Sequence, residues 1–132
     1  MIFLDTEACL AVLKGKPGIR VVIDSLKQSL AITTPVLFEI YAGTEYYKKK
    51  GLIDKEVKFL SQIYKFKIFS FDLPAAQKAA EIWANLKVSG AMVNVMDILI
   101  GAIILQNNFK DIITNDQHFE KIEGLIIHKY KF

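Results

Sequence analysis

The sequence predicts a single α/β domain over residues 1–132, built on a central parallel sheet of about five strands flanked by helices. Three observations carry that expectation. Short apolar runs recur along the chain, the segments between them show helical spacing, and 52% of the residues are apolar. Strands separated by helices favour parallel βαβ units with right-handed crossovers. A chain of this length buries roughly two-thirds of its unfolded surface, so its core needs no staple.

Met1 to Leu4 is the first apolar run, closed by Asp5. Ile19, Val22, Ile23 and Leu26 repeat at helical spacing. Leu30 to Thr34 reads as the second strand. Thr34-Pro35 then starts a helix through Ile40 toward Lys48, because threonine caps free N–H groups and proline is tolerated at the first helical position. Asp54 is placed to cap a helix through Val57, Leu60, Ile63 and Tyr64, and Phe66 to Phe71 alternates as a third strand. Asp72 and Pro74 open a helix through Ala75, Ala79, Ile82 and Leu86 that Gly90 ends. Asn94 to Gln106 is the most apolar helix, and Asp111 to Thr114 and Leu125 to Tyr130 are the last strands.

Composition narrows the chemistry. The one cysteine, Cys9, allows neither an internal disulfide nor a cysteine zinc cluster, and a reducing, cytoplasmic setting is expected. The longest apolar run, Ile98 to Leu105, is eight residues, so no membrane association is expected. The net charge of +3 permits nucleic-acid binding without indicating it. There is no glycine-rich phosphate loop.

Four acids are placed unlike the rest. Asp5 ends the first strand and Asp116 follows the fourth, and in parallel α/β sheets the carboxyl ends of strands form the ligand crevice. Glu39 has Val36, Ala42 and Gly43 as helical neighbours, which leaves room beside it. Asp97 sits among Val93, Ile100, Gly101 and Ile104, and no Lys or Arg occurs between Lys87 and Lys110. A buried carboxylate with no basic partner needs hydrogen bonds or a cation. Oxygen ligands suit hard ions such as Mg²⁺ or Mn²⁺, and a carboxylate cluster holding such ions is apparatus for hydrolysing phosphodiesters.

These residues resemble a known family. Ile2 to Thr6, Thr34 to Gly43, Asn94 to Ala102, and Ile113 to Phe119 with Gly124-Leu125 resemble the four motifs of PIN-domain ribonucleases, in order and over the whole chain. The spacing and length resemble VapC-type toxins of toxin–antitoxin pairs. The resemblance implies a PIN-like, Rossmann-like domain and a Mg²⁺- or Mn²⁺-dependent endoribonuclease. It also implies a small antitoxin partner, an RNA substrate and a homodimer. Asp5, Glu39, Asp97 and Asp116 fall on the family's catalytic acids, with Asp5, Asp97 and Asp116 as metal ligands and Thr6, Glu7, Thr114 and His118 in support.

Two positions depart from the pattern. Glu7 replaces a common asparagine, and His118 replaces a common second acid. The alternative is therefore a catalytically weak PIN-fold module that binds RNA or protein. A phosphoacceptor domain is a third α/β possibility, but the third strand offers only Asp72, ahead of a helix-starting proline.

Overall fold

The computed structural model describes residues 1–52 and 57–132. Five strands form one sheet in the order β3-β2-β1-β4-β5, and every neighbouring pair is parallel. The strands are β1 (Ile2–Leu4), β2 (Leu30–Thr33), β3 (Lys67–Phe69), β4 (Asp111–Ile113) and β5 (Ile126–His128). The helices are α1 (Thr6–Leu13), α2 (Pro17–Leu26), α3 (Thr34–Lys49), α4 (Leu73–Ser89) and α5 (Val95–Gln106).

The three inner strands are the most apolar because helices cover both of their faces. Ile2, Phe3, Leu4, Ala31, Ile32, Ile112 and Ile113 are all buried. Each fully buried aliphatic side chain stabilises the fold by about 1.5–3 kcal/mol. Phe3 also stacks near Phe69 and Phe109, with ring centroids 5.1 and 5.7 Å away. Edge strand β3 is mostly exposed, as its lysine-bearing sequence requires.

The caps follow the sequence closely. Asp72 accepts from the Ala75 amide at 3.0 Å and opens α4, and Gly90 closes it at φ 71°, a conformation glycine adopts without a Cβ penalty. Asn94 opens α5 by accepting from the Met96 amide at 2.8 Å.

Three local expectations change. Helix α1 was not among the expected elements; its apolar residues form one continuous block, Ala8 to Leu13, which carries no helical period. Residues Val57–Lys65 form a 3₁₀ helix rather than an α-helix, and the expected Asp54 cap lies outside the described residues. Thr34 does not cap α3. Thr33 holds the cap position, and the Thr34 hydroxyl instead accepts from the Phe71 amide at 3.0 Å, tying α3 to the chain beyond β3.

After β5 the chain runs against the start of α2. A methyl group on Gly18 would lie 1.8 Å from the Lys131 carbonyl oxygen, whereas one on Gly43, inside α3, would meet nothing within 4 Å. Two substitutions of one kind should therefore act in opposite directions. Gly18→Ala should lower stability by about 1–3 kcal/mol, as forced overpacking does. Gly43→Ala should raise it by up to about 1 kcal/mol, the helix-propensity difference. Urea unfolding of both variants checks the signs.

Candidate active site

Strand β1 lies between β2 and β4, so the chain's crossovers leave it in opposite directions and open a crevice at the carboxyl ends of β1 and β4. Asp5 is the residue immediately after β1, and Thr114 to Asp116 follow β4. All four candidate acids, Asp5, Glu39, Asp97 and Asp116, line this crevice of about 380 Å³, with Thr6 and Glu7 at its side.

Asp5 is 8% exposed. One carboxylate oxygen caps α1 by accepting from the Ala8 amide at 2.8 Å, and the other accepts from the Thr114 hydroxyl. The same hydroxyl accepts from the Asp116 amide at 3.0 Å. Fully buried Thr114 thus links the end of β1 to the loop that presents Asp116. Asp5 therefore both caps α1 and lines the crevice.

Glu39 projects from α3 and accepts from the Thr6 hydroxyl at 2.6 Å, so Thr6 holds it toward the Asp5 end of the crevice. Asp97 lies in the first turn of α5. Asn94 does the capping there, which leaves the Asp97 carboxylate free to face its fellow acids. Asp116 accepts from the His118 amide at 2.9 Å, and its Oδ1 lies 2.8 Å from His118 Nδ1.

Crowded acids hold protons. Burial, then the charges of Asp116 and Glu39, push the Asp97 carboxyl up to about 6, against a smaller opposing effect of His118. Burial also raises Asp5, although its bonds from Thr114 and Ala8 act the other way. The neighbouring Cys9 thiol is pushed up to about 12 by burial and by Asp5, which leaves it a packing residue.

One residue beside the site escaped the sequence reasoning. The Asn115 side-chain amide donates to the Tyr130 carbonyl at 2.9 Å, and its carbonyl accepts from the Tyr130 amide at 3.0 Å. This two-point clamp holds the chain after β5 beside the loop that carries Asp116, and Phe132 reaches the crevice as a result. Asn115 stood inside a recognised motif, but its partner lies 15 residues away and leaves no local signal.

The donor set fits a divalent ion. Asp97, Asp116 and His118 each offer a ligand atom, and these atoms lie within 4.8 Å of one another. The crevice thus gathers carboxylates at the switch point of a parallel sheet. The chain belongs to the PIN domain family of nucleases, whose profile matches residues 2–125. Its fold is similar to VapBC2 from Rickettsia felis bound to a promoter DNA fragment, at TM-score 0.82 and 24% identity over 99% of this chain and 100% of that one. It is also similar to DNA-bound VapBC from Salmonella typhimurium, at 0.78 and 25% over 97% and 96%. FitAcB from Neisseria gonorrhoeae aligns at 0.76 and 24% over 97% of each chain. No curated protein sequence matches the chain. No helix among the described residues is long and apolar enough to cross a membrane.

The raised Asp97 value makes a stability prediction with a definite sign. The unfolded carboxyl titrates near 3.8 and the folded one near 6, so between them the folded protein holds more protons. The metal-free protein therefore loses stability as pH rises through that window, and the cost is complete above it. Asp97→Asn should melt higher than wild type in EDTA at pH 7.5, and the gap should close toward pH 4. Thermal melts of both proteins at the two pH values decide it.

Proposed function

We propose that this protein is a divalent-metal-dependent endoribonuclease acting as the cytoplasmic toxin of a toxin–antitoxin pair. The convergence of Asp5, Glu39, Asp97 and Asp116 on one crevice carries the reading. Asp5, Asp97 and Asp116 would hold the ion, Mg²⁺ or Mn²⁺. Such an ion supplies a Lewis acid that activates water and offsets charge on the phosphoryl and leaving oxygens.

The chain's own residues do the rest. Thr114 fixes the Asp5 carboxylate and the Asp116 backbone as one unit. Thr6 orients Glu39, which is positioned to accept a proton from the attacking water. The protonated fraction of Asp97 must be displaced on loading, so binding of the ion releases protons and strengthens with pH.

The partner and assembly rest on kinship. The VapBC neighbours are complexes, which supports a small antitoxin for this chain, and the family resemblance supports a homodimer. Exposed Phe38 and Tyr41 on α3 offer apolar surface to such a partner.

Incubation of the purified chain with RNA in Mg²⁺, Mn²⁺ or EDTA tests the reading. Cleavage should require the ion and should fall by about 10²-fold or more in Asp97→Asn, in line with losses of key electrostatic groups. His118→Ala should lose much less activity than Asp116→Asn. Metal-independent cleavage, or full turnover by Asp97→Asn, would overturn the assignment. RNA binding without cleavage in either ion would favour the weak-module alternative.

A further inference from the structure

We propose that His118 is a nitrogen ligand of the crevice's metal ion, and that it makes the site select Mn²⁺ over Mg²⁺. The inference rests on the metal-dependent reading above and adds to it the identity of the ion. Its basis is an imidazole where an all-oxygen site would place a carboxylate.

The geometry is compatible with one ion shared by three side chains. Neighbouring ligands on an octahedral ion with bonds of about 2.1 Å lie about 3 Å apart, and opposite ligands about 4.2 Å apart. His118 Nδ1 and Asp116 Oδ1 are separated by 2.8 Å. One atom from each of Asp97, Asp116 and His118 falls within 4.8 Å of the other two. Nor is the imidazole committed to the core. Its side chain is 53% exposed, and its ring pairs with Asp116.

The local backbone fixes the pairing. Asp116 caps the 3₁₀ helix Gln117–Lys121 by accepting from the His118 amide, which brings the His118 ring back over the carboxylate. Thr114 holds the Asp116 amide from the other side. Both groups are therefore presented on one short, doubly anchored turn.

The chemistry follows from donor type. Carboxylate oxygen suits Mg²⁺ and Mn²⁺ alike, whereas imidazole nitrogen suits transition ions, and Mg²⁺ keeps to oxygen and water. In this structure Nδ1–H donates to the Asp116 oxygen; an ion entering between them would take the Nδ1 lone pair, leaving the imidazole proton on Nε2. An imidazole ligand brings no negative charge to the ion, which serves Mg²⁺ least. It supplies a donor that Mn²⁺ accepts.

Pulsed electron paramagnetic resonance of the Mn²⁺-loaded protein reads the bond directly, without activity. Wild type should show ¹⁴N modulation on the bound Mn²⁺, and His118→Ala should not. Melting midpoints titrated with each ion should give wild type a Mn²⁺ affinity at least about tenfold above its Mg²⁺ affinity, the scale of single-group effects at metal sites. His118→Asp should narrow that ratio by strengthening Mg²⁺. Mn²⁺ that binds without nitrogen modulation, or modulation that persists in His118→Ala, overturns the proposal and leaves the nuclease reading intact. If neither ion moves the wild-type midpoint, the metal-dependent reading itself falls and takes this one with it.

Discussion

The site depends on the hydroxyl of Thr114. It donates to Asp5 at the end of β1 and accepts from the Asp116 amide beyond β4, across the gap where the two strands' connections part. Without a bridge, each acid would sit on an independent loop. With it, Asp5 is anchored at both oxygens and the Asp116 turn is anchored to Asp5. Preorganisation of this kind lowers the ordering cost of whatever the two acids bind. The sheet supplies the rigid frame, since β1 and β4 pair directly through Phe3 and Ile112, and Leu4 and Ile113.

The same arrangement works against the fold. Five carboxylates, Glu7 among them, share one crevice, and no lysine or arginine lines it among the described residues. Asp97 shows the consequence in its raised proton affinity. Among these acids Asp116 has a histidine partner, His118 at 2.8 Å, much as Asp111 has His128 at 2.8 Å beyond the crevice. A cation bound in the crevice, as proposed above, would relieve the acids' repulsion, which would then become part of the binding free energy.

Most of the fold was legible because its signals are local. Gly90 ending α4, Asp72 capping it and the strand at Leu30–Thr33 each depend on residues close in sequence. The meeting of the four acids at one crevice was legible too, because a charge inside an apolar segment or at a strand end is conspicuous. Helix α1 was not, since its apolar block carries no period and its capping residue doubled as a site acid. Thr34 was misplaced because its hydroxyl partner is Phe71, and Asn115 was missed because its partner is Tyr130. Local rules name the residue and its capacity for hydrogen bonds. They do not say which distant backbone comes to use it.

Asp97 joins the two scales. Helix α5 is apolar almost all round, with Ile98, Ile100, Ile103 and Ile104 buried, and such a helix gains nothing from a charge in its interior. Its third residue is the exception, because unpaired N–H groups in the first turn favour a negative charge there. Asn94 takes the capping bond, so the helix start steadies the Asp97 charge without consuming its oxygens. A site acid moved one turn further in would lose that support and be buried among isoleucines. The position of Asp97 is therefore a compromise between reach into the crevice and tolerance of charge, and the first turn of α5 satisfies both.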